Sequence, residues 1–392
     1  LAIAQRSVAA DQAHVLVADE VALTFVGFAA FLDPPKASAG TALAALAADG
    51  VAVKIVTGDN ERVTRYVCAH IGVTITGVLT GSQIAAMNDD ALRASVDNVN
   101  LFCRANPAQK NRILMALKAR GHVVGYLGDG VNDAPSLHTA DVGISVNDAV
   151  DVAKLAAAMI LLENDLGVLH EGVIEGRRTF GNVMKYIMMA TSSNFGNMFS
   201  MAAATLFLPF MPMLPTQILL NNLLYDVSEL PLPMDNVDKS YLAQPHPWDM
   251  TFIRNYMLTI GPISSLFDFL TFYLLLKLLD ANEMLFHTGW FVESIATQVL
   301  VIFVIRTRGN PFASRPNRWL IIASLAIVFT AILLPFSPVA TYLGFVPLPP
   351  LFFGLLAVLL PCYLLMVEGA KRWFYARWAR RWESARQLKS VR

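Results

Sequence analysis

The sequence predicts two parts of different fold class: an α/β domain on a parallel sheet, then an all-α transmembrane domain of six helices. Three observations predict this. Up to about residue 165 short β-rich runs alternate with helical stretches. After that the polar residues thin out and six long apolar stretches follow. Overall, 55% of residues are hydrophobic and 15% charged, where a soluble surface usually carries about 25–35% charged residues.

The elements of the first part follow in order. Residues 21–31 read as a strand ending at Asp33-Pro34-Pro35. Residues 38–49 read as a helix that Gly50 stops, and 51–56 as a strand closed by Thr57-Gly58-Asp59. Residues 60–71 have helical spacing, whereas 74–99 carry no clear pattern. Asn106-Pro107 opens a helix to about Arg120, since Asn caps and Pro fits the first turn. Residues 122–127 form the next strand, ended by Gly128-Asp129-Gly130, and 141–146 and 158–162 two more. Strand, helix, strand at this spacing implies crossover helices, and open α/β sheets place their sites beyond strand C-terminal ends.

The apolar stretches lie near 183–206, 212–233, 252–278, 291–305, 319–337 and 350–367. The fourth reaches across a bilayer only if residues 286–290 join it. Basic residues gather before the first stretch, after the second and fourth, and in the tail. Positive residues stay cytoplasmic, so both ends and the whole polar part are expected there. The tail alternates Trp373, Phe374, Trp378 and Trp382 with bases, which suits an anchor in membrane lipid.

Net charge excludes little: thirty Lys and Arg balance thirty Asp and Glu, and no nucleic-acid partner is expected. Three scattered cysteines, Cys68, Cys103 and Cys362, exclude a disulfide scaffold and a Cys-rich metal cluster. The chain starts at Leu1 without a signal peptide and reads as a piece of something larger.

Two sets of residues carry chemistry. Asp129 and Asp133 stand four apart across a Gly-rich strand-to-helix turn, an arrangement suited to Mg²⁺, with Asn132 between them to orient a carboxylate or a water. A lone Gly-Asp-Gly is more often a capped turn. Here Thr57, Gly58 and Asp59 add a second loop after a strand, offering a hydroxyl and backbone N–H groups to an anion. Lys110 sits in the first turn of a helix, where the helix dipole disfavours a cation and a phosphate would explain one. Together they suggest phosphoryl transfer, although no Asp occupies a strand end suited to a nucleophile.

The second set lies in the apolar part. Asn194 and Asn197 share a helix face, as do Asn222 and Asp226, with Tyr225 beside them. An acid at membrane depth costs about 2.5–3.5 kcal/mol on insertion scales, so Asp226 reads as functional. Carboxylate and amide oxygens suit a hard divalent cation. Ser192 and Ser193 read as helix–helix contacts, and Glu229 and Asp268 as weaker candidates.

These residues sit in motifs that resemble the P-type cation-transporting ATPases: DPPK (33–36), TGDN (57–60), NPAQK (106–110) and GDGVNDAPSL (128–137). Residues 160–200, 223–238, 261–269 and 305–312 resemble one branch, the magnesium-transporting ATPases of bacteria. The resemblance implies a haloacid-dehalogenase-like phosphorylation domain, incomplete here, over 21–165. It makes 1–20 a remnant of a nucleotide-binding domain, 166–370 the transmembrane domain and 371–392 a cytoplasmic tail.

It further implies that Asp129 and Asp133 bind Mg²⁺. Thr57, Gly58 and Asp59 would hold the phosphoryl group and position water, and Lys110 would contact that group. Asn194, Asn197, Asn222, Tyr225 and Asp226 would surround the transported ion. ATP, bound mainly by a nucleotide domain outside this chain, would phosphorylate an Asp in a DKTGT motif that the chain lacks. The expected function is the C-terminal part of a pump importing Mg²⁺ across a bacterial inner membrane, inactive as a fragment. The family more often has Gln at Glu229 and Trp at Met234. Three other readings compete: a pump for another cation such as Ca²⁺, an inactive or regulatory membrane partner, and a membrane-fused phosphatase of the haloacid-dehalogenase type.

Overall fold

A computed structural model describes residues 1–8, 14–30, 35–163 and 165–390, without the side chains of 379–390. It divides into two units, Leu1–His170 and Glu171–Arg392.

The first unit begins with β1 (Ala2–Gln5) and β2 (Thr24–Phe28), which pair antiparallel as a separate two-stranded sheet. The 21–31 run therefore does not enter the parallel sheet. No crossover helix lies between β1 and β2 in the described residues, and antiparallel pairing needs none. Asp33 and Pro34 lie outside the described residues.

Helix α1 (Ala39–Ala48) ends near Gly50, whose φ of +74° suits glycine. Strand β3 (Ile55–Val56) is shorter than expected, and α2 (Glu61–His70) starts at Asn60, whose side chain accepts from Arg62 N and Val63 N. The 74–99 segment is ordered after all, as β4 (Val78–Thr80), α3 (Gly81–Ala86) and α4 (Asp89–Ser95). Two local caps explain this: Thr80 accepts from Gln83 N, and Asn88 from Ala91 N. Strand β5 (Leu101–Cys103) then leads into α5 (Pro107–Ala119), where Asn106 and Gln109 form a capping box. The remaining elements are β6 (Gly125–Leu127), α6 (Ala134–Thr139), β7 (Val142–Val146), α7 (Asp151–Ala156) and β8 (Met159–Leu161).

The parallel strands form two three-stranded sheets, ordered β3-β5-β4 and β6-β7-β8. Strand β3 pairs only with β5 and β6 only with β7, so each keeps one unpaired edge among the described residues. Helix α5 packs on both sheets. Its Ile113 and Leu117 join Ile84, Leu92 and Phe102, while its Leu114 joins Tyr126 and Leu137.

The second unit is helical. Helix α8 (Leu166–Ala204) runs into it, followed by α9 (Pro215–Glu229), the short α10 (Lys239–Leu242), α11 (Met250–Tyr273), α12 (Glu283–Leu300), the short α13 (Ile302–Ile305), α14 (Arg318–Leu333) and α15 (Pro350–Ser390). Among the described residues, four spans are long and apolar enough to cross a membrane: Met250–Leu278, Glu283–Ile305, Arg318–Phe336 and Pro350–Trp378. The other two expected spans fall on α8 and α9. Ser192, Ser193, Asn194 and Asn197 dilute the apolar half of α8, and α9 is 15 residues long before the turn at Pro231. The two helices that fall short of a span, α8 in hydropathy and α9 in length, thus carry all the candidate cation residues.

A buried ionic node ties the loop after α9 to α8 and to the segment between α13 and α14. Asp235 accepts from Lys185 Nζ at 2.7 Å, Arg306 Nε at 2.9 Å and Asn317 N at 3.0 Å. Burial pushes the Asp235 carboxyl up, but the Arg306 bonds and the Lys185 charge outweigh it and hold the group below the usual carboxylate range.

Candidate functional site

In the first unit, the predicted loops follow strand C-terminal ends. Thr57 N donates to Phe102 O, Ala105 N to Thr57 O and Arg104 N to Asp59 O, so the loops after β3 and β5 are laced together. On the other sheet, Ser145 Oγ donates to Gly128 O at 2.9 Å and Val150 N to Asp129 O at 3.1 Å.

Lys110 and Asp133 link α5 to the turn after β6. Lys110 Nζ donates to Asp133 Oδ1 at 2.7 Å, with the Lys110 and Asp133 side chains 14% and 12% exposed. Tyr126 OH donates to the same oxygen at 2.7 Å, and Gly130 N reaches Oδ2 at 3.3 Å. Burial pushes the Asp133 carboxyl up, yet the Lys110 and Tyr126 bonds hold it below its ordinary value. Burial, and then Asp133, push the Tyr126 phenol up. Gly128 is needed for close approach, since a Cβ there would stand 2.6 Å from the Asp133 Cβ.

Tyr126 is the group that sequence reasoning missed. It reads as an ordinary strand aromatic, and its only signal is its place on the strand leading into the acidic turn. Asp129 and Asn132 are exposed on that turn. Thr57 Oγ1 donates to Asp59 Oδ2 at 3.0 Å and accepts from Asp59 N at 3.0 Å, while Gly58 is exposed between them. No hydrogen bond among the described residues joins this second loop to Lys110, Asp129 or Asp133.

As a cradle for Mg²⁺ the donors fit in part. The Asp129 carboxylate is exposed and suits a hard cation. Asp133 commits Oδ1 to Lys110 and Tyr126, which makes it first a holder of the lysine.

In the second unit the predicted residues part company. Tyr225 is buried, its OH donating to Ser193 Oγ at 3.4 Å, and Ser192 and Ser193 are buried. Asn194, Asn222 and Asp226 are exposed and Asn197 is half-buried. Successive helix residues turn by about 100°, so Tyr225 and Asp226 face different ways. Asn222 and Asp226 do share a face, as their spacing predicts, but it points outward alongside Leu219 and Leu223, 70% and 59% exposed. The acid of α9 that points inward is Glu229, whose two carboxylate oxygens are buried without a partner.

Comparison with known proteins places both units. Residues 3–141 match the haloacid dehalogenase-like hydrolases, and residues 210–373 match the family described as cation transporting ATPase, C-terminus. The magnesium-transporting ATPase, P-type 1, of Salmonella typhimurium strain LT2 is 48% identical over 366 residues, covering 92% of this chain and 40% of that protein. Its namesake in Escherichia coli K12 is 46% identical over 382 residues, covering 96% and 42%. A probable cation-transporting ATPase F of Mycobacterium tuberculosis H37Rv is 39% identical over 208 residues, covering 51% and 23%. The chain thus spans about two fifths of the length of the magnesium-transporting relatives it matches. The α/β unit with its parallel sheets and the helical unit with its membrane-capable spans belong to one lineage: the chain is a member of the P-type cation-transporting ATPase family, corresponding to its C-terminal portion.

Proposed function

We propose that this chain is the C-terminal part of an ATP-driven transporter that imports Mg²⁺ across a bacterial inner membrane, both ends of the chain being cytoplasmic. The observation that carries the proposal is the Lys110–Asp133–Tyr126 constellation beside the exposed Asp129. It presents a fixed cation and a free carboxylate at strand ends, as a phosphoryl-transfer site needs.

In this reading Asp129 would hold a Mg²⁺ ion, which supplies charge neutralisation at the phosphoryl oxygens. Asp133 holds Lys110 against that group, and Tyr126 holds Asp133. Thr57 and Asp59 would bind and orient the phosphoryl group through their hydroxyl, carboxylate and backbone N–H, and Asn132 would orient a carboxylate or a water. The unpaired edges of β3 and β6 suit one further parallel strand, which would bring the phosphorylated Asp between Thr57 and Asp129. ATP would reach this centre through the longer protein.

Asn194, Asn197, Asn222, Tyr225 and Asp226 would serve the transported cation. An acid facing lipid is costly, so the face carrying Asn222 and Asp226 is one that other segments of the longer protein would cover. The similarity of residues in this chain to a cation-transporting ATPase F keeps a pump for another cation as a second reading.

Labelled ATP with Mg²⁺ and an acid quench tests the proposal. The full-length protein should form an acid-stable phosphoenzyme, and this chain alone should form none. Stable label on this chain would overturn its assignment as an inactive fragment. Failure of the full-length protein to label would overturn the pump reading.

A further inference from the structure

The second unit buries a pair of acids outside the proposed cation residues. Asp268 of α11 and Glu293 of α12 are each 1% exposed. Asp268 accepts from Ser200 Oγ at 2.6 Å through Oδ2 and from Trp290 Nε1 at 2.9 Å through Oδ1. Glu293 follows Trp290, the donor to Asp268, by one turn of α12, and its two oxygens are buried without a hydrogen-bond partner. Thr271 Oγ1 is buried without a partner as well, and it lines a small cavity with Glu293, closed by Leu274, Leu275, Phe352 and Leu356.

No Lys, Arg or His among the described residues pairs with either acid. Helix α8 presents Ser200, α12 Trp290 and α15 Tyr363. The charged and titratable groups of α9 are Tyr225, Asp226 and Glu229, none of them a cation, and the charged residue of α14 is Arg318, exposed at its start. Lys277, in the turn after α11, is exposed.

Two adjacent carboxylates cut off from water and from any cation repel strongly, and both cannot be ionised. Two carboxyl groups can hydrogen-bond each other only when one carries a proton. A divalent ion is less suited: Mg²⁺ takes six oxygens in an octahedron, and the Ser200 and Trp290 donors already engage Asp268. We propose that Asp268 and Glu293 form a proton-binding site within the membrane unit, one proton being shared between the two carboxyls with the Thr271 hydroxyl beside them. The site stands whichever cation the protein carries.

Infrared difference spectroscopy on the purified full-length protein in cation-free buffer tests it. Wild type minus Glu293→Gln should show loss of a protonated-carboxyl C=O band, one proton per protein, that persists at neutral pH where exposed carboxyls are ionised. Asp268→Asn leaves Glu293 buried with no second carboxylate to share its proton, so the band should persist at a shifted frequency. If Glu293→Gln does not fold, Asp268→Asn still reads the band, and Thr271→Val, which keeps both acids, should shift it without removing it. Absence of the band from wild type at neutral pH, or its survival unshifted in Glu293→Gln or in Asp268→Asn, would overturn the proposal. So would a band that Mg²⁺ titrates away in wild type but not in Asp268→Asn, which would mark a cation site instead.

Discussion

The two units handle polar chemistry in different ways. In the first, loops beyond strand ends bring Lys110 and Asp133 together from elements 23 residues apart, with Tyr126 beneath them. In the second, polar groups ride on long helices and divide by face: Tyr225 and Glu229 turn inward while Asn222 and Asp226 turn outward. Strand-end loops can converge on a point within one unit. Helix faces converge only where neighbouring helices pack against them, and among the described residues the α5 and β6-turn groups meet while the polar groups of α9 do not.

Substitutions sharpen this contrast. The largest effect is expected at the ionic node of the second unit. Asp235→Ala leaves Lys185 and Arg306 buried without their counter-charge and should cost about 3–5 kcal/mol, read as a fall in the thermal unfolding midpoint. An unchanged midpoint would mean that water or other groups replace the carboxylate. Next comes Asp133→Ala in the first unit, which strands the Lys110 ammonium and the Tyr126 hydroxyl. A loss of about 1.5–3 kcal/mol is expected in denaturant unfolding, together with loss of phosphoenzyme in the full-length protein. Tyr126→Phe should cost only about 1 kcal/mol and slow phosphoenzyme turnover without abolishing it. A null phosphoenzyme in Tyr126→Phe would show that the phenol acts on the reacting group directly.

The smallest effect is on pH. The folded-state pKa of Asp133 is depressed, so its contribution to stability is present above the unfolded value and is lost as pH falls through the folded value. With an unfolded Asp near about 3.9, acid unfolding of wild type should be steeper below about pH 4 than that of Asp133→Asn. Parallel acid profiles would remove the Lys110–Asp133 pair as a source of acid sensitivity.

Much of the first unit is legible from local signals. Asn60, Asn106 and Pro107 announce their helices, and Gly-Asp-Gly announces the turn after β6. Strand β5 is not legible, because Leu101-Phe102-Cys103 is too short to show a period, yet it is the buried middle strand of its sheet. The 74–99 segment escaped because its helices are short and set by caps instead of an apolar stripe. The antiparallel pairing of β2 depends on a distant partner, β1, and no local pattern specifies it. In the second unit the helices are legible from hydropathy but their rotation is not. Spacing puts Asn222 and Asp226 on one face, and only packing says which way that face points. The inward acid Glu229 reads in the sequence as one of the weaker candidates, whereas Glu293 carries no motif and its signal is burial alone.

In the proposed function a phosphoryl centre around Asp129 and Lys110 would drive cation movement past Asp226. Mg²⁺ uptake and phosphoenzyme formation, measured in the same vesicles containing full-length Asp226→Asn protein, test it most directly. Uptake should be abolished while phosphorylation by ATP remains possible. Uptake at normal affinity would contradict it.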